Sequence, residues 1–269
     1  MRDAAPRVRE PRAPVELSDT PLLVGRHPVL EALRSGRAFT RIWIQQGLQE
    51  GSLREIVALA RDRHLAVTEV PKSFLHRLSN GLAHQGVGAQ AALKPTLGMD
   101  ELPDLIQSST NPLLYILDGI QDPHNLGAIL RTADATGATG VIIPERGASG
   151  LTAVVAKASA GAIEYVPVVR VTNLAQAIDK VKDAGVFVFA ADPGGSTLYT
   201  DVDWTGPAAV VIGGEGRGVR PLVRARSDGL IKLPMLGHVS SINASNAACA
   251  IGFEAIRQRQ RKNSVLTRL

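Results

Sequence analysis

Cysteine is almost absent from this 269-residue chain: Cys249 is the only one, so no internal disulfide can form and no cysteine-based zinc site can be built. Its place among alanines, in a stretch that reads as the C-terminal helix, suits a small core filler. The six histidines (27, 64, 76, 84, 124 and 238) lack the spacings of a metal-ligand set. Long apolar runs are missing as well. None approaches the roughly 20 residues that span a bilayer, and the opening stretch MRDAAPRVREPRAPVE has no apolar signal core. The expectation is a cytoplasmic protein with no membrane span and no metal. One catalytic signature is absent too. GGSTL at 194–198 lacks the closing glycine of a G-x-S-x-G nucleophile elbow, so a hydrolase of that type is not indicated.

The chain has 45% apolar residues, ample for a packed core, and its length suits one large domain or two ordinary ones. Its net charge of +5 is unevenly placed. Residues 1–16 carry four Arg against three acids, residues 17–95 carry ten Lys and Arg against six acids, and residues 96–269 carry sixteen against sixteen. All the excess therefore lies before residue 96. A basic first module on a neutral second one suits a polyanion-gripping domain joined to a catalytic domain; ordinary solubility charge is the competing reading.

Apolar periodicity divides the chain further. Residues 1–20 form an Arg- and Pro-rich arm without apolar period, expected to be flexible. Over 21–95 the pattern predicts a small αβα module, with helices at 27–35, 52–64 and 71–78 and strands at 41–45, 66–70 and 86–92. In the second helix Leu53, Ile56, Val57 and Ala60 share one face. Residues 96–112, with a short amphipathic piece amid the three prolines of 94–112, read as a linker. Beyond it, strand-like runs at 113–117, 140–143, 163–169, 186–190, 208–212 and 230–233 alternate with helices that include 126–136, 174–184 and 221–226. A long helix at 244–261 closes the pattern. The fold class is α/β, with a mainly parallel sheet covered on both faces.

Three segments place polar or glycine residues directly after β-prone runs, where α/β proteins keep their chemistry. In the first, DPHNLGAILRTADATG (122–137), Asn125 reads as a helix cap or as a site residue. Arg131 sits inside the helix and requires an anionic partner, either a bound phosphate or carboxylate or a structural bridge to Asp134 or Asp118. In the second, VIGGEGRGV (211–219), the glycines resemble a nucleotide loop but fail both templates. The sixth position of a dinucleotide fingerprint beginning at Gly214 is Val219, and a P-loop would need Lys and Ser or Thr where Val219 and Arg220 stand. A loop that admits close approach to its backbone remains, with Glu215 as its only carboxylate; a plain tight turn is the alternative. In the third, LPMLGHVSSINASNAA (233–248), Ser240, Ser241, Asn243 and Ser245 exceed what one helix cap requires.

Taken together, NxxxxxR from Asn125 to Arg131, GGEGRG at 213–218, and LPM with SSINASNA in 233–248 resemble the three signature motifs of the SpoU (TrmH-type) RNA ribose 2′-O-methyltransferases of the SPOUT superfamily. The likeness runs over about 113–260, and GRHPVLEALRSG at 25–36 resembles the entry to that family's N-terminal substrate-binding domain. This resemblance implies S-adenosylmethionine as methyl donor, a C-terminal domain over 113–269 tied in a deep trefoil knot, and a homodimer with its active site at the subunit interface. Residues 21–95 become an RNA-binding domain, with Arg26, Arg34, Arg37 and Arg41 as expected phosphate contacts. The implied catalytic set is Arg131, Asn125, Glu215, Ser241 and Asn243; the implied cofactor set is Gly213, Gly214, Gly216, Leu233, Met235 and Ile242. Within the family, DPHNLGAILRTAD and VTNLAQAI (171–178) resemble the enzymes that methylate a guanosine of bacterial large-subunit (23S) rRNA. A tRNA methyltransferase, a non-catalytic RNA-binding factor and a nicotinamide-dependent dehydrogenase are the alternatives. The dehydrogenase shares the α/β alternation but fails the glycine test.

Overall fold

The computed structural model of the chain describes residues 22–48 and 50–266; the arm expected over 1–20 lies outside them. The first unit runs β1 (Leu22–Val24), α1 (Arg26–Arg34), β2 (Phe39–Gln45), α2 (Ser52–Asp62), β3 (Val67–Val70), α3 (Lys72–Leu78) and β4 (Val87–Ala91). Its sheet has the order β1-β4-β2-β3, with β4 antiparallel to both neighbours and β2 parallel to β3. Helix α2 buries Leu53, Ile56 and Ala60 as its period requires. Strand β1 is too short to show a period in the sequence.

The segment expected as a linker is packed. Helix α4 (Leu102–Gln107) buries Leu102 and Ile106, and Leu97 exchanges backbone hydrogen bonds with Val168 and Arg170 at 2.9 and 2.8 Å. Its prolines do not keep it loose, because Pro103 sits in the first helical turn, where no donor is lost and its fixed φ suits the helix.

The second sheet contains β5 (Leu113–Asp118), β6 (Gly140–Pro144), β7 (Val168–Val171), β8 (Phe187–Ala191), β9 (Thr197–Leu198), β10 (Ala208–Gly213) and β11 (Gly229–Lys232). Their order is β7-β6-β5-β10-β8-β11-β9, and every neighbouring pair is parallel. Alternation sorts the two faces. Leu113, Tyr115, Leu117, Val210 and Ile212 enter one core with α5 (Pro123–Ala135), α6 (Ala153–Ala158) and α9 (Ala244–Leu266). Leu114, Ile116, Ala209 and Val211 enter the other with α4, α7 (Leu174–Asp183) and α8 (Pro221–Arg226). The strand expected over 163–169 is corrected: Ala162–Glu164 form a 3-10 turn, and pairing starts only at Val168, just after Pro167.

The two units share the first core, which also holds Leu23, Val29, Leu33 and Ile42. A buried ion pair links them, Arg37 Nη1 to Glu164 Oε1 at 2.6 Å, with side chains 8% and 2% exposed. Lys94 Nζ donates to the Glu164 carbonyl at 2.5 Å, and the Tyr165 hydroxyl to Glu31 at 2.5 Å. Desolvation pushes the Lys94 amine below its ordinary value, with Glu164 opposing the shift.

In sequence the chain adds β6 and β7 outward from β5, then crosses to the far side of β5, where β10 separates it from β8. Ligands of open parallel sheets bind outside the carboxyl ends of the strands at such a reversal.

Candidate active site

Strand β5 ends at Asp118, and Asp122 caps α5 by accepting the His124 amide at 2.8 Å, with Pro123 in the first turn. Asn125 is therefore not the cap. It lies inside the first turn, 6% exposed, and its Nδ2 donates to Glu215 Oε1 at 2.8 Å. Its Oδ1 accepts from Asn243 Nδ2 at 2.9 Å, and the same Asn243 amide reaches Glu215 Oε1 at 3.3 Å. Asn243 Oδ1 accepts the Ser245 amide at 2.8 Å and its hydroxyl at 2.6 Å, so Asn243 caps α9 while joining this cluster. One carboxylate and two amides, each from a different polar segment, thus meet after β5, after β10 and before α9.

The glycines of the 213–218 loop have a physical cause within the chain. A Cβ on Gly213 would lie 2.2 Å from the Gly218 carbonyl carbon, and one on Gly214 would lie 2.2 Å from the Gly119 oxygen. The loop folds back on itself, with the Gly218 amide donating to the Gly214 oxygen at 3.0 Å and the Gly214 amide to the Asp118 oxygen at 2.8 Å. Arg220 clamps the end of this loop, its Nε 2.6 Å and its backbone N 2.8 Å from the 1%-exposed carboxylate of Asp118. Asp118 is thereby taken from Arg131. Arg131 is exposed and in no ion pair among the described residues, with Asp134 or any other acid, so the structural-bridge reading of that arginine falls.

Beside this cluster opens a cavity of about 600 Å³, within the range of small-molecule sites. Gly213, Gly214, Glu215, Gly216, Leu233, Met235, Ser241, Ile242 and Asn243 all line it. Sequence reasoning did not find Ala191, Asp192 and Pro193 at the end of β8, nor Arg217 and Ala247; the position of the former at the end of a strand beside the reversal is the signal that points to them. Ile212, Leu233, Ile242 and Ala247 supply apolar lining to the cavity, which the glycine loop also borders. That pairing suits a flat heteroaromatic ring recognised through main-chain groups, as an adenosine would be.

Arg131 lies apart. It does not line the cavity, and six residues of α5 carry it about 9 Å along the helix from Asn125. One chain by itself does not bring it to the cluster. The four arginines expected to contact RNA fare differently. Arg37 is a correction: its guanidinium is buried in the pair with Glu164 and unavailable to a surface ligand. Arg34 is exposed but held by Glu55 at 2.5 Å and Glu31 at 2.7 Å, with Glu55 first in raising its pKa above the ordinary value. Arg26 Nε donates to the Gln85 carbonyl at 3.0 Å. Arg41 is exposed and without an ion pair among the described residues. Among those residues, no helix is long and apolar enough to cross a membrane.

The model of the SpoU rRNA Methylase family matches residues 112–253. The chain belongs to the SpoU methylase family. A second family model, RNA 2′-O ribose methyltransferase substrate binding, matches residues 22–97. A Staphylococcus haemolyticus protein described as a putative TrmH family tRNA/rRNA methyltransferase is 47% identical over 242 residues, covering 88% of this chain and 96% of its own. Among solved structures, the SpoU methyltransferase AviRb from Streptomyces viridochromogenes, in complex with AdoMet, aligns with a TM-score of 0.76 at 27% identity, over 89% of this chain and 90% of its own. A structure described as concerning 2-OH methylation of C/U34 on tRNA aligns with a TM-score of 0.51 at 25% identity, over 56% of this chain and 97% of its own. SpoU-family proteins are S-adenosylmethionine-dependent RNA methyltransferases, and the α/β fold with its parallel sheet is that of this family.

Proposed function

We propose that this SpoU protein is a cytoplasmic enzyme that methylates a ribose 2′-hydroxyl in RNA, at a guanosine of bacterial large-subunit (23S) rRNA, and works as a homodimer. The observation that carries this reading is the meeting of Asn125, Glu215 and Asn243, from three distant segments, beside the 600 Å³ cavity. When bound, S-adenosylmethionine supplies a methyl group made electrophilic by a sulfonium. The residues that hold it are the backbone of Gly213, Gly214 and Gly216 and the walls formed by Leu233, Met235 and Ile242.

A neutral hydroxyl is a poor nucleophile, so alignment and charge stabilisation must lower the barrier. The amides of Asn125 and Asn243 fix the Glu215 carboxylate and, through it, the geometry of the loop that faces the cofactor; Ser241 lies at the same rim. Arg131 grips the target phosphate and stabilises the charge developing on the 2′-oxygen. A guanidinium holds its proton far above neutral pH, so the proton passes to a phosphate oxygen or water.

Arg131 reaches the cavity in the dimer, where each subunit's arginine serves the other's site. Leu236, Val239, Ile242 and Phe253 are large, apolar and exposed, Leu236 at 99%; they lie on the approach to α9 and on α9 itself, and a second copy gives them cover. The trefoil knot belongs to the same reading, supported by β10 lying between β5 and β8 and by α9 packing back onto α5 and β10. The guanosine assignment rests on 122–134 and 171–178.

A tRNA target is the second reading, favoured by the tRNA-related neighbour; the description of the staphylococcal relative names both RNAs. The test is mapping of 2′-O-methyl groups after incubating purified protein and S-adenosylmethionine with unmodified rRNA and tRNA. A new mark on a large-subunit guanosine is expected. A mark on tRNA alone sinks the rRNA assignment, and NAD binding without S-adenosylmethionine binding sinks the methyltransferase.

A further inference from the structure

Most of the arginines that the sequence offers to RNA are engaged within the chain, whereas other cations stand without acid partners where the two units meet. Helix α3 presents Lys72, His76 and Arg77, all exposed. The His76 ring meets the buried His84 ring edge-on, centroids 5.4 Å apart, and His84 Nδ1 accepts the Gly86 amide at 3.0 Å. Across the boundary, Lys157 of α6 donates to the Ala83 carbonyl at 2.9 Å, so the second unit contributes a cation to a patch of the first. None of Lys72, His76, Arg77 and Lys157 is in an ion pair among the described residues. The His84 imidazole is pushed below its ordinary value by burial first, then by His76, Lys72 and Lys157. Among the described residues no ion pair neutralises Lys72, Arg77 or Lys157.

This patch adjoins the site helix. Gly127, two residues after Asn125, packs so closely on α6 that a Cβ there would lie 2.4 Å from the Cβ of Ala158, the residue after Lys157. Arg131 is four positions beyond Gly127 and so on the same face of α5, one turn along. Helix α6, which carries Lys157, thus packs on the side of α5 from which Arg131 extends one turn further on. The buried Arg37–Glu164 pair and the shared core, which takes in Val155 and Ala156 of α6, join the two units, and α3 is seated on the first of them through Leu75 and Leu78.

We infer that the phosphodiester backbone of the RNA substrate docks across this two-unit seam, on Lys72, His76 and Lys157, and runs from there toward Arg131, rather than on the arginines of α1. The inference rests on the RNA-methyltransferase reading. Its occupant follows from charge complementarity: a row of unneutralised cations that leads to a methyl-transfer site matches a polyanion whose sugar must reach that site.

The test uses the full-length protein and an RNA that the wild type binds and methylates. Lys72→Glu is expected to weaken RNA binding by about tenfold or more at moderate salt, raising KM with kcat preserved. The double change Lys72→Ala with Lys157→Ala should flatten the plot of log affinity against log salt by roughly 0.7 per lost contact. Retained S-adenosylmethionine affinity in each variant establishes that the fold is intact. Arg61→Glu, the same charge change on the exposed end of α2, is the comparison and should leave RNA affinity within about twofold. Unchanged affinity and salt slope in the seam variants, or an equal loss in Arg61→Glu, would overturn the seam while leaving the methyltransferase reading intact. A wild type that binds neither RNA nor S-adenosylmethionine overturns both.

Discussion

The carboxyl edge of the parallel sheet and the junction between the two units both gather polar side chains from distant parts of the chain, and they use them in opposite ways. At the edge, two neutral amides converge on a single exposed carboxylate, and the glycine loop beside them leaves an open cavity. At the junction, a full ion pair is taken out of water and its carboxylate is almost entirely covered. Neutral donors can be clustered without a large desolvation penalty, so they can shape a site and still leave space for a ligand. A desolvated charge pair must be closely packed and fully partnered to persist, so it joins surfaces and leaves no space between them. An arginine in a basic segment is therefore not yet a ligand contact; its surroundings decide.

The comparison can be broken at four places. The largest effect is expected from Arg37→Ala, which leaves Glu164 buried without its partner and should cost about 3–5 kcal/mol of stability by urea denaturation; a loss below about 1 kcal/mol, the range of exposed pairs, would place Arg37 with the surface arginines. Next comes Arg131→Ala, expected to lower methyl transfer by about 10²–10³-fold while S-adenosylmethionine affinity, measured by calorimetry, stays within about twofold. Equal loss of both would return Arg131 to a structural role. Gly214→Ala places a Cβ against the Gly119 carbonyl and should displace the loop, with a cost of about 1–3 kcal/mol read as roughly tenfold or greater loss of cofactor affinity. The smallest change is Tyr115→Phe. Burial pushes the Tyr115 phenol up to about 12, so the unfolded chain releases this proton first. Its contribution is fully present below pH 10 and is lost as the pH rises from 10 to 12. The substitution should flatten that part of the pH–stability curve and cost about 1 kcal/mol at neutral pH, through loss of the bond to Thr136. An unchanged alkaline limb would assign it to other groups, among them Tyr165, also pushed up to about 12.

Most of the fold was legible because its strands are buried and its helices amphipathic. The runs read at 113–117, 140–143 and 208–212 reappear as β5, β6 and β10 with one residue added at the end, and α8 has the limits read from its proline start. What escaped is short or borrowed from tertiary contact. Helix α6 is six residues long and capped by Thr152, too brief for a period of 3.6 to register. Ile163 looks strand-like yet lies in a 3-10 turn, with its side chain in the core that the two units share. In the site, the glycine and apolar residues expected around a cofactor all line one cavity, since each lies at the end of a recognisable strand or in the loop that follows one. Asn125 was legible as a polar residue near a helix start but not as a buried donor to Glu215, because its partner lies ninety residues away.

From sequence alone follow the class of fold, the parallel strands, the three polar segments and, through their motifs, the family. These are properties of short windows: alternation, period, and residue types at fixed offsets. The three-dimensional arrangement decided which polar groups are available. It buried Arg37, turned Asn125 inward, gave Asp118 to Arg220 and left Lys72, His76 and Lys157 without acids. The reason is that desolvation and pairing depend on what approaches from elsewhere in the chain, and no local pattern records how closely distant segments pack.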